Sequence, residues 1–223
     1  MCGHIKRVTD NPNVKKLMAL IGMENTSLAG GNFYPGSSVD GIIIENKAGR
    51  QSINALWWFL LDENTGKPNY KYATFNARRL DGKLWKSAIK HHRCLIVATG
   101  IGESKGEKKE KKSFLMESDE AFFLGGLYRT YQFDNELIYT FSVITRAPHP
   151  RFSQYHDKAI PLFMPSKQDV LNQWLDPKEN DGTNFDKMLN QPSITVDFKV
   201  TPVKSTKRLE AVGETEFLAK DVI

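Results

Sequence analysis

Apolar and polar positions along the chain recur on two periods, and each period predicts a different kind of element. Between Pro12 and Gly22, Val14, Leu17, Met18 and Ile21 share one face of a 3.6-residue repeat, so a helix ending at the glycine is expected there. Leu84, Trp85, Ala88 and Ile89 mark the inner face of a second, shorter helix. Ser166 and Asp169 have the spacing of a capping box that opens a helix running through Trp174, and Thr183 with Asp186 repeats the device. Strand-like runs occupy Val39–Ile44, Arg93–Ala98, Phe114–Met116, Ala121–Tyr128 and Leu137–Thr145, with a further apolar run at Ala55–Leu61. Ile194, Val196, Phe198 and Val200 alternate strictly with polar neighbours, the mark of a strand with one buried face. Many short strands, interspersed helices and no regular βαβ rhythm predict an α+β fold with a mainly antiparallel sheet. No repeat and no Pro/Ser-rich linker divides residues 1–223, which read as one domain with 204–223 as a wrapping C-terminal tail.

Composition narrows the class. With 40% apolar and 11% aromatic residues the chain is no disordered tract. No apolar run approaches the length of a membrane span, and MCGHIKRVTD lacks a signal-peptide core, so a soluble cytoplasmic protein without membrane contact is expected. Two cysteines, at 2 and 94, cannot form a disulfide-dense scaffold or a zinc site of paired spacing. The net charge of +5 permits an acidic partner without demanding one. Five lysines between Lys105 and Lys112, against Glu107 and Glu110, supply +3 of it in one solvated loop.

Cys2 carries the most chemistry. Removal of Met1 would leave an α-amine and a thiol on adjacent carbons, with reference pKa values of roughly 8 and 8.5. Such a 1,2-aminothiol can attack a carbonyl as an N-terminal nucleophile. It can also condense with an aldehyde, through an imine, to a five-membered thiazolidine. Taken by itself, a cysteine at position 2 is equally an arbitrary residue of a terminus.

Residues farther along the chain form an ordered series. After Met1-Cys2-Gly3 come Asn32-Phe33-Tyr34-Pro35, Trp57-Trp58-Phe59-Leu60-Leu61, Asn76-Ala77-Arg78, Arg93-Cys94-Leu95 and Gly100-Ile101-Gly102-Glu103. Gly126-Leu127-Tyr128, Thr145, His156, Pro161-Leu162-Phe163-Met164 and Trp174-Leu175-Asp176 follow. Met-Cys-Gly alone is shared by the class II glutamine amidotransferases and the SOS response-associated peptidase (SRAP) family. In order and spacing, the full series resembles SRAP. It departs from that pattern at His4 (usually arginine), at Trp58 (usually glycine), at Gly102 and Ser104 (usually aromatic), and by one extra residue before Pro161. These are the departures of a divergent, phage-like member.

The resemblance implies a barrel-like sheet core with flanking helices. It also implies a DNA-damage protein that removes its own Met1, binds single-stranded DNA and captures abasic sites covalently through Cys2, with no metal, no organic cofactor and no obligatory protein partner. If the chain is bacterial or from a phage, it would act at the nucleoid. By the same resemblance Glu103 is the acid/base beside the Cys2 amine. His156 protonates the sugar or holds a phosphate, and Asn76 orients the amine or the opened sugar. Arg78 has the spacing of a phosphate contact, and Asn32 and Pro35 join the DNA-contacting surface. Trp57 and Trp58 are expected either to stack on bases or to enter the core. Arg146 and Arg151, near His149, form a second basic candidate. Cys94, inside an apolar strand, reads as a structural thiol. Two rivals stand beside this reading: an N-terminal-nucleophile glutamine amidohydrolase, and a non-catalytic basic nucleic-acid-binding module.

Overall fold

The computed structural model describes residues 2–107, 110–133, 135–180 and 182–222, with 182 and 183 described for the backbone alone. In chain order the strands are β1 (Ile5–Arg7), β2 (Gly31–Phe33), β3 (Ser38–Asn46), β4 (Gly49–Leu56), β5 (Asn76–Ala77) and β6 (Arg93–Lys105). They continue with β7 (Lys112–Phe133), β8 (Glu136–Arg146), β9 (Ile160–Pro161), β10 (Phe198–Ser205), β11 (Arg208–Ala211) and β12 (Glu216–Leu218). The helices are α1 (Pro12–Ala19), α2 (Ala88–His91), α3 (Gln168–Leu175) and α4 (Asp186–Asn190).

The twelve strands among the described residues join one sheet, in the order β11-β10-β7-β8-β4-β3-β6-β1-β2, with β12 on β10 and both β5 and β9 on β8. Pairing is antiparallel except for β4 and β5 against β8. Because β6 also pairs with β7, the path β7-β8-β4-β3-β6 returns to its start. The fold is therefore mixed α+β with a largely antiparallel sheet, as the pattern predicted.

Continuous apolar strands have a plain cause here. Ile42, Ile44, Cys94, Ile96, Ala98, Phe122, Leu124 and Val143 point into one cluster with Cys2, Trp57, Phe141 and Phe163. Their neighbours Ile43, Leu95, Val97, Phe123 and Ile144 point into another, which α1, α3 and α4 cover with Leu17, Met18, Leu171, Trp174 and Leu189. A strand buried on both faces loses its alternation and reads as one hydrophobic run.

The helix at Pro12 forms as expected: Asn11 caps it, accepting from the Asn13 amide at 2.9 Å, and Gly22, at φ +68°, ends it in the left-handed region. The other caps differ. Lys167, not Ser166, is the N-cap of α3, and no side chain caps it. Phe185 holds that position in α4, again without a side-chain bond, and the Thr183 side chain lies outside the described residues. The two runs at Phe114–Met116 and Ala121–Tyr128 are one strand, β7. Its polar interruption faces a register shift between Ala98 and Gly100, where the Asp119 carbonyl accepts from the Asn11 and Asn13 side chains. From Ile194 the chain has the predicted alternate burial, but ladder pairing begins only at Phe198. Within the C-terminal stretch read as a wrapping tail, Arg208–Ala211 and Glu216–Leu218 form β11 and β12, and both pair with β10. No helix among the described residues is long and apolar enough to cross a membrane.

Arg93 joins α2, β6 and α3. Its guanidinium donates to the carbonyls of Trp174 and Asp176 at 2.6 Å, Lys90 at 2.6 Å, and Ile89 and Glu179 at 2.7 Å. It also lies over the rings of Trp174 and Phe185. Burial lowers its pKa to about 10, so it stays charged at neutral pH. Arg93→Ala would leave five carbonyls without their donor in a buried site, and a loss of about 3 kcal/mol or more in urea unfolding is expected, since each buried polar group left unsatisfied costs about 1–3 kcal/mol. Arg93→Lys should recover little of it, because one ammonium cannot reproduce the fork. A loss below about 1 kcal/mol for Arg93→Ala would remove this account.

Candidate active site

Register brings the N-terminus to Glu103. Ile5 pairs with Ile101 and Lys6 with Gly100, and the Gly102 amide donates to the His4 carbonyl at 3.0 Å. Continuing that ladder sets Gly3 opposite Glu103, with Cys2 one residue beyond it. Arg7 pins β1 in place: its fully buried guanidinium donates to the Val97 carbonyl at 3.1 Å and to Asp40, and it lies over Phe33. Gly41, at φ +66°, passes so close that a Cβ there would meet Leu28 at 2.6 Å and the guanidinium at 3.2 Å.

Cys2 is fully buried, and its thiol lies 3.8 Å from the His4 carbonyl. Burial, and then the charge of Glu103, push the thiol far above its ordinary range, so it is neutral in the uncleaved chain. The Asn76 amide donates to the Cys2 carbonyl at 2.9 Å. Asn76 stands in β5 opposite Val143, and its own Oδ1 is buried with no hydrogen-bond partner among the described residues. Thr145, two residues beyond Val143 and so on the same face of β8, carries another buried hydroxyl without one.

Glu103 is 1% exposed, and burial raises its carboxyl to about 7. At neutral pH it can therefore both accept and give a proton. His156 Nδ1 lies 3.7 Å from Glu103 Oε2 and donates to the Ser104 carbonyl at 2.6 Å. That bond leaves the ring lone pair on Nε2, and burial lowers the pKa so that the neutral ring prevails at pH 7. Cys2, Asn76, Glu103 and His156, scattered over 155 positions of sequence, thus meet in one buried cluster.

The expected DNA-contacting residues fare differently. Trp57 is wholly buried: it stacks on Phe141 at 5.8 Å and donates to the Phe75 carbonyl at 2.9 Å, so the expectation that it stacks on bases is corrected to a core role. Trp58 is also buried, donating to the Asn69 carbonyl at 3.1 Å under the edge of Tyr70. The aromatic surface here belongs instead to Tyr70 and Tyr72, 71% and 50% exposed, with Lys71 over the Tyr72 ring. The signal was the Tyr-Lys-Tyr triplet just ahead of Asn76.

Arg78 is exposed and shares a cleft of about 510 Å³ with Arg79 and Arg146. Arg79 is a basic residue that sequence reasoning missed, although it adjoins Arg78. Arg146 is half committed to structure, donating to the carbonyls of Leu189 and, at 3.2 Å, Arg78. Arg151 is not a free cation: it pairs with Asp221 and donates to the Ala219 carbonyl at 3.0 Å, which corrects its assignment to DNA. Asn32 Oδ1 accepts from His4 Nε2 at 2.8 Å, and Pro35 leads into a turn at Gly36, beside the Tyr70 hydroxyl.

Two of the unusual residues explain each other. A Cβ at Gly102 would stand 2.4 Å from His4 Nδ1, so the missing side chain at 102 makes room for the imidazole. That ring stacks on Tyr34 at 4.9 Å.

Fold and site together define a mixed α+β protein that buries a cysteine at its second position against an asparagine, a glutamate and a histidine. The chain belongs to the SOS response associated peptidase (SRAP) family, whose profile matches residues 1–207. Membership ties it to the response to DNA damage and to a peptidase-like family. Three solved structures share the fold. A protein from Bordetella bronchiseptica is 18% identical with a TM-score of 0.67, covering 91% of this chain and all (100%) of its own. One from Bacteroides thetaiotaomicron is 16% identical at 0.65, covering 91% and 92%. A phage-related protein of Bordetella bronchiseptica is 20% identical at 0.65, covering 94% and 100%. The curated proteins searched contain no match.

Proposed function

We propose that the chain, once Met1 is removed, captures abasic sites in single-stranded DNA as a thiazolidine on Cys2. The observation that carries this reading is the contact of Asn76 with Cys2 beside a glutamate whose carboxyl titrates near neutrality. In the ring-opened abasic sugar, C1′ is an aldehyde. The Cys2 nitrogen adds to it, one water leaves to give the imine, and Sγ then adds to the imine carbon. The thiol proton passes to nitrogen, closing a ring of N, Cα, Cβ, Sγ and C1′ with the loss of one water overall.

Glu103 serves two steps: it takes a proton from the Cys2 ammonium and supplies one for ring opening of the sugar. Neutral His156 is placed to relay that proton or to hold the adjoining phosphate. Asn76 fixes the Cys2 backbone. Arg78 and Arg79 offer bidentate phosphate contacts, while Tyr70 and Tyr72 offer faces on which bases can stack. The same glutamate, acting on the Met1–Cys2 amide through the Cys2 thiol, accounts for a peptidase activity directed at the chain's own terminus. We read residues 1–223 as one functional unit with a barrel-like core.

The test is denaturing electrophoresis after mixing the protein with a single-stranded oligonucleotide that contains one abasic site. A shifted band stable to heat and detergent is expected. Release of ammonia from glutamine without such a band would replace this reading with an amidohydrolase. Retention of DNA that salt abolishes, with no band, would replace it with a binding module.

A further inference from the structure

The face that carries Glu103 does not end at the candidate site. Along the β6–β7 ladder, Glu103 faces Phe114, Ser104 faces Ser113, and Lys105 faces Lys112. Residues two apart on a strand share a face, so Lys105 and Lys112 stand on the Glu103 face about 7 Å farther out. Like charges directly opposite one another destabilise a strand pair. Lys105 relieves part of this by donating to the Ser153 carbonyl at 2.8 Å, but Lys111 and Lys112 have no ion pair among the described residues.

Lys111 and Lys112 border a groove of about 690 Å³, shared with Phe114, Tyr155, Lys204 and Glu216. Phe114 meets Tyr155 edge to face at 5.2 Å, which gives the groove an aromatic floor. Its one carboxylate, Glu216, already accepts from the Tyr155 hydroxyl at 3.1 Å, and Lys204 is paired only with exposed Glu210, at 3.6 Å. The groove is also linked to the site through its lining residues. Tyr155 precedes His156, His156 bonds to the Ser104 carbonyl, and Ser104 and Ser113 share a hydrogen bond at 2.9 Å.

An uncompensated cationic pair, a third lysine across a groove and an aromatic floor form a fit for a phosphate backbone with unstacked bases. We propose that this groove is the track for one flank of the DNA strand, leading away from the His156 side of the site, while the Arg78–Arg79 cleft serves the other flank. This rests on the reading of the site given above.

The test is a triple variant, Lys111→Gln, Lys112→Gln and Lys204→Gln. All three side chains are exposed and lie outside the core, and circular dichroism would verify the fold. The probes are labelled single strands with a tetrahydrofuran abasic analogue at either the 5′ or the 3′ end. This analogue has no C1′ hydroxyl, so it cannot open to an aldehyde or crosslink, and fluorescence anisotropy reads binding alone. The expected result is weaker binding of one probe, with its log–log salt slope reduced by about 2, and unchanged binding of the other. Equal weakening of both probes would mean diffuse attraction and would overturn the track, as would no weakening of either. Wild-type crosslinking to a true abasic site tests the underlying reading separately. If that fails, the salt slope on a lesion-free strand still shows whether the groove binds nucleic acid.

Discussion

Cys2→Ala abolishes the denaturant-stable band altogether, while the protein stays folded. Because the variant lacks the thiol through which the chain would release its own Met1, Met1 is first removed by a methionine aminopeptidase, which accepts a small residue at position 2, and its loss is checked by intact mass. The variant keeps an α-amine at the same place and can still form an imine with the C1′ aldehyde. It lacks only the sulfur that would close the ring. The expected product is therefore a reversible adduct, invisible on a denaturing gel and recovered when borohydride reduces the imine before denaturation. Cys2→Ser should behave similarly, because a hydroxyl is a much poorer nucleophile than a thiol for the closing step. Folding costs are small by comparison: the thiol makes one weak contact, 3.8 Å to the His4 carbonyl, and its loss leaves a methyl-sized gap in the core. A variant that crosslinks as well as wild type without reduction would assign the adduct to a residue other than Cys2 and end the thiazolidine mechanism.

Much of this site was legible from residues because its chemistry depends on rare types in fixed order. Cys2, Asn76, Glu103 and His156 could be named from the sequence, and the β1–β6 register, Arg7 and the short strand β5 are the physical means by which they meet. The strands were legible wherever burial on both faces made long apolar runs. What escaped depends on side-chain direction. Trp57 and Trp58 form a conspicuous aromatic pair, yet a Leu56–Leu61 stretch this apolar buries its rings, and the exposed aromatics are Tyr70 and Tyr72 in the polar loop that follows. Arg151 looked like a DNA contact because the acid that neutralises it, Asp221, is 70 residues away in sequence. The capping boxes failed for a related reason: spacing identifies a helix nearby, but backbone geometry chose Lys167, one residue after the serine. The His4–Gly102 pair shows the converse. Two departures that looked independent in sequence are one packing adjustment in space.

Glu103→Gln separates chemistry from folding through pH. With a carboxyl at about 7, wild-type capture should show an inflection near neutrality in single-turnover rates measured between roughly pH 5.5 and 8.5. The glutamine variant should lose that inflection and fall by about 10²-fold or more, the usual contribution of a positioned acid/base. Stability should move in the opposite direction. Burial raises the folded pKa above the ordinary carboxylate value of 4.5. The folded state therefore holds its proton more tightly, and the stability linked to it is fully present below the unfolded pKa. That stability is lost as pH rises through about 7. Glutamine carries no charge to desolvate, so the variant should match wild type near pH 4.5 and exceed it at pH 8. The excess is at most about 3 kcal/mol, the free energy that separates a carboxyl at about 7 from one at 4.5. A variant slower in capture yet more resistant to urea at pH 8 cannot owe its defect to unfolding. Retained inflection, or a stability difference independent of pH, would show that Glu103 is not the titrating group. On the proposed mechanism, a carboxylate that is costly to bury is a trade of stability for function, because its proton is exchangeable at the pH where capture would run.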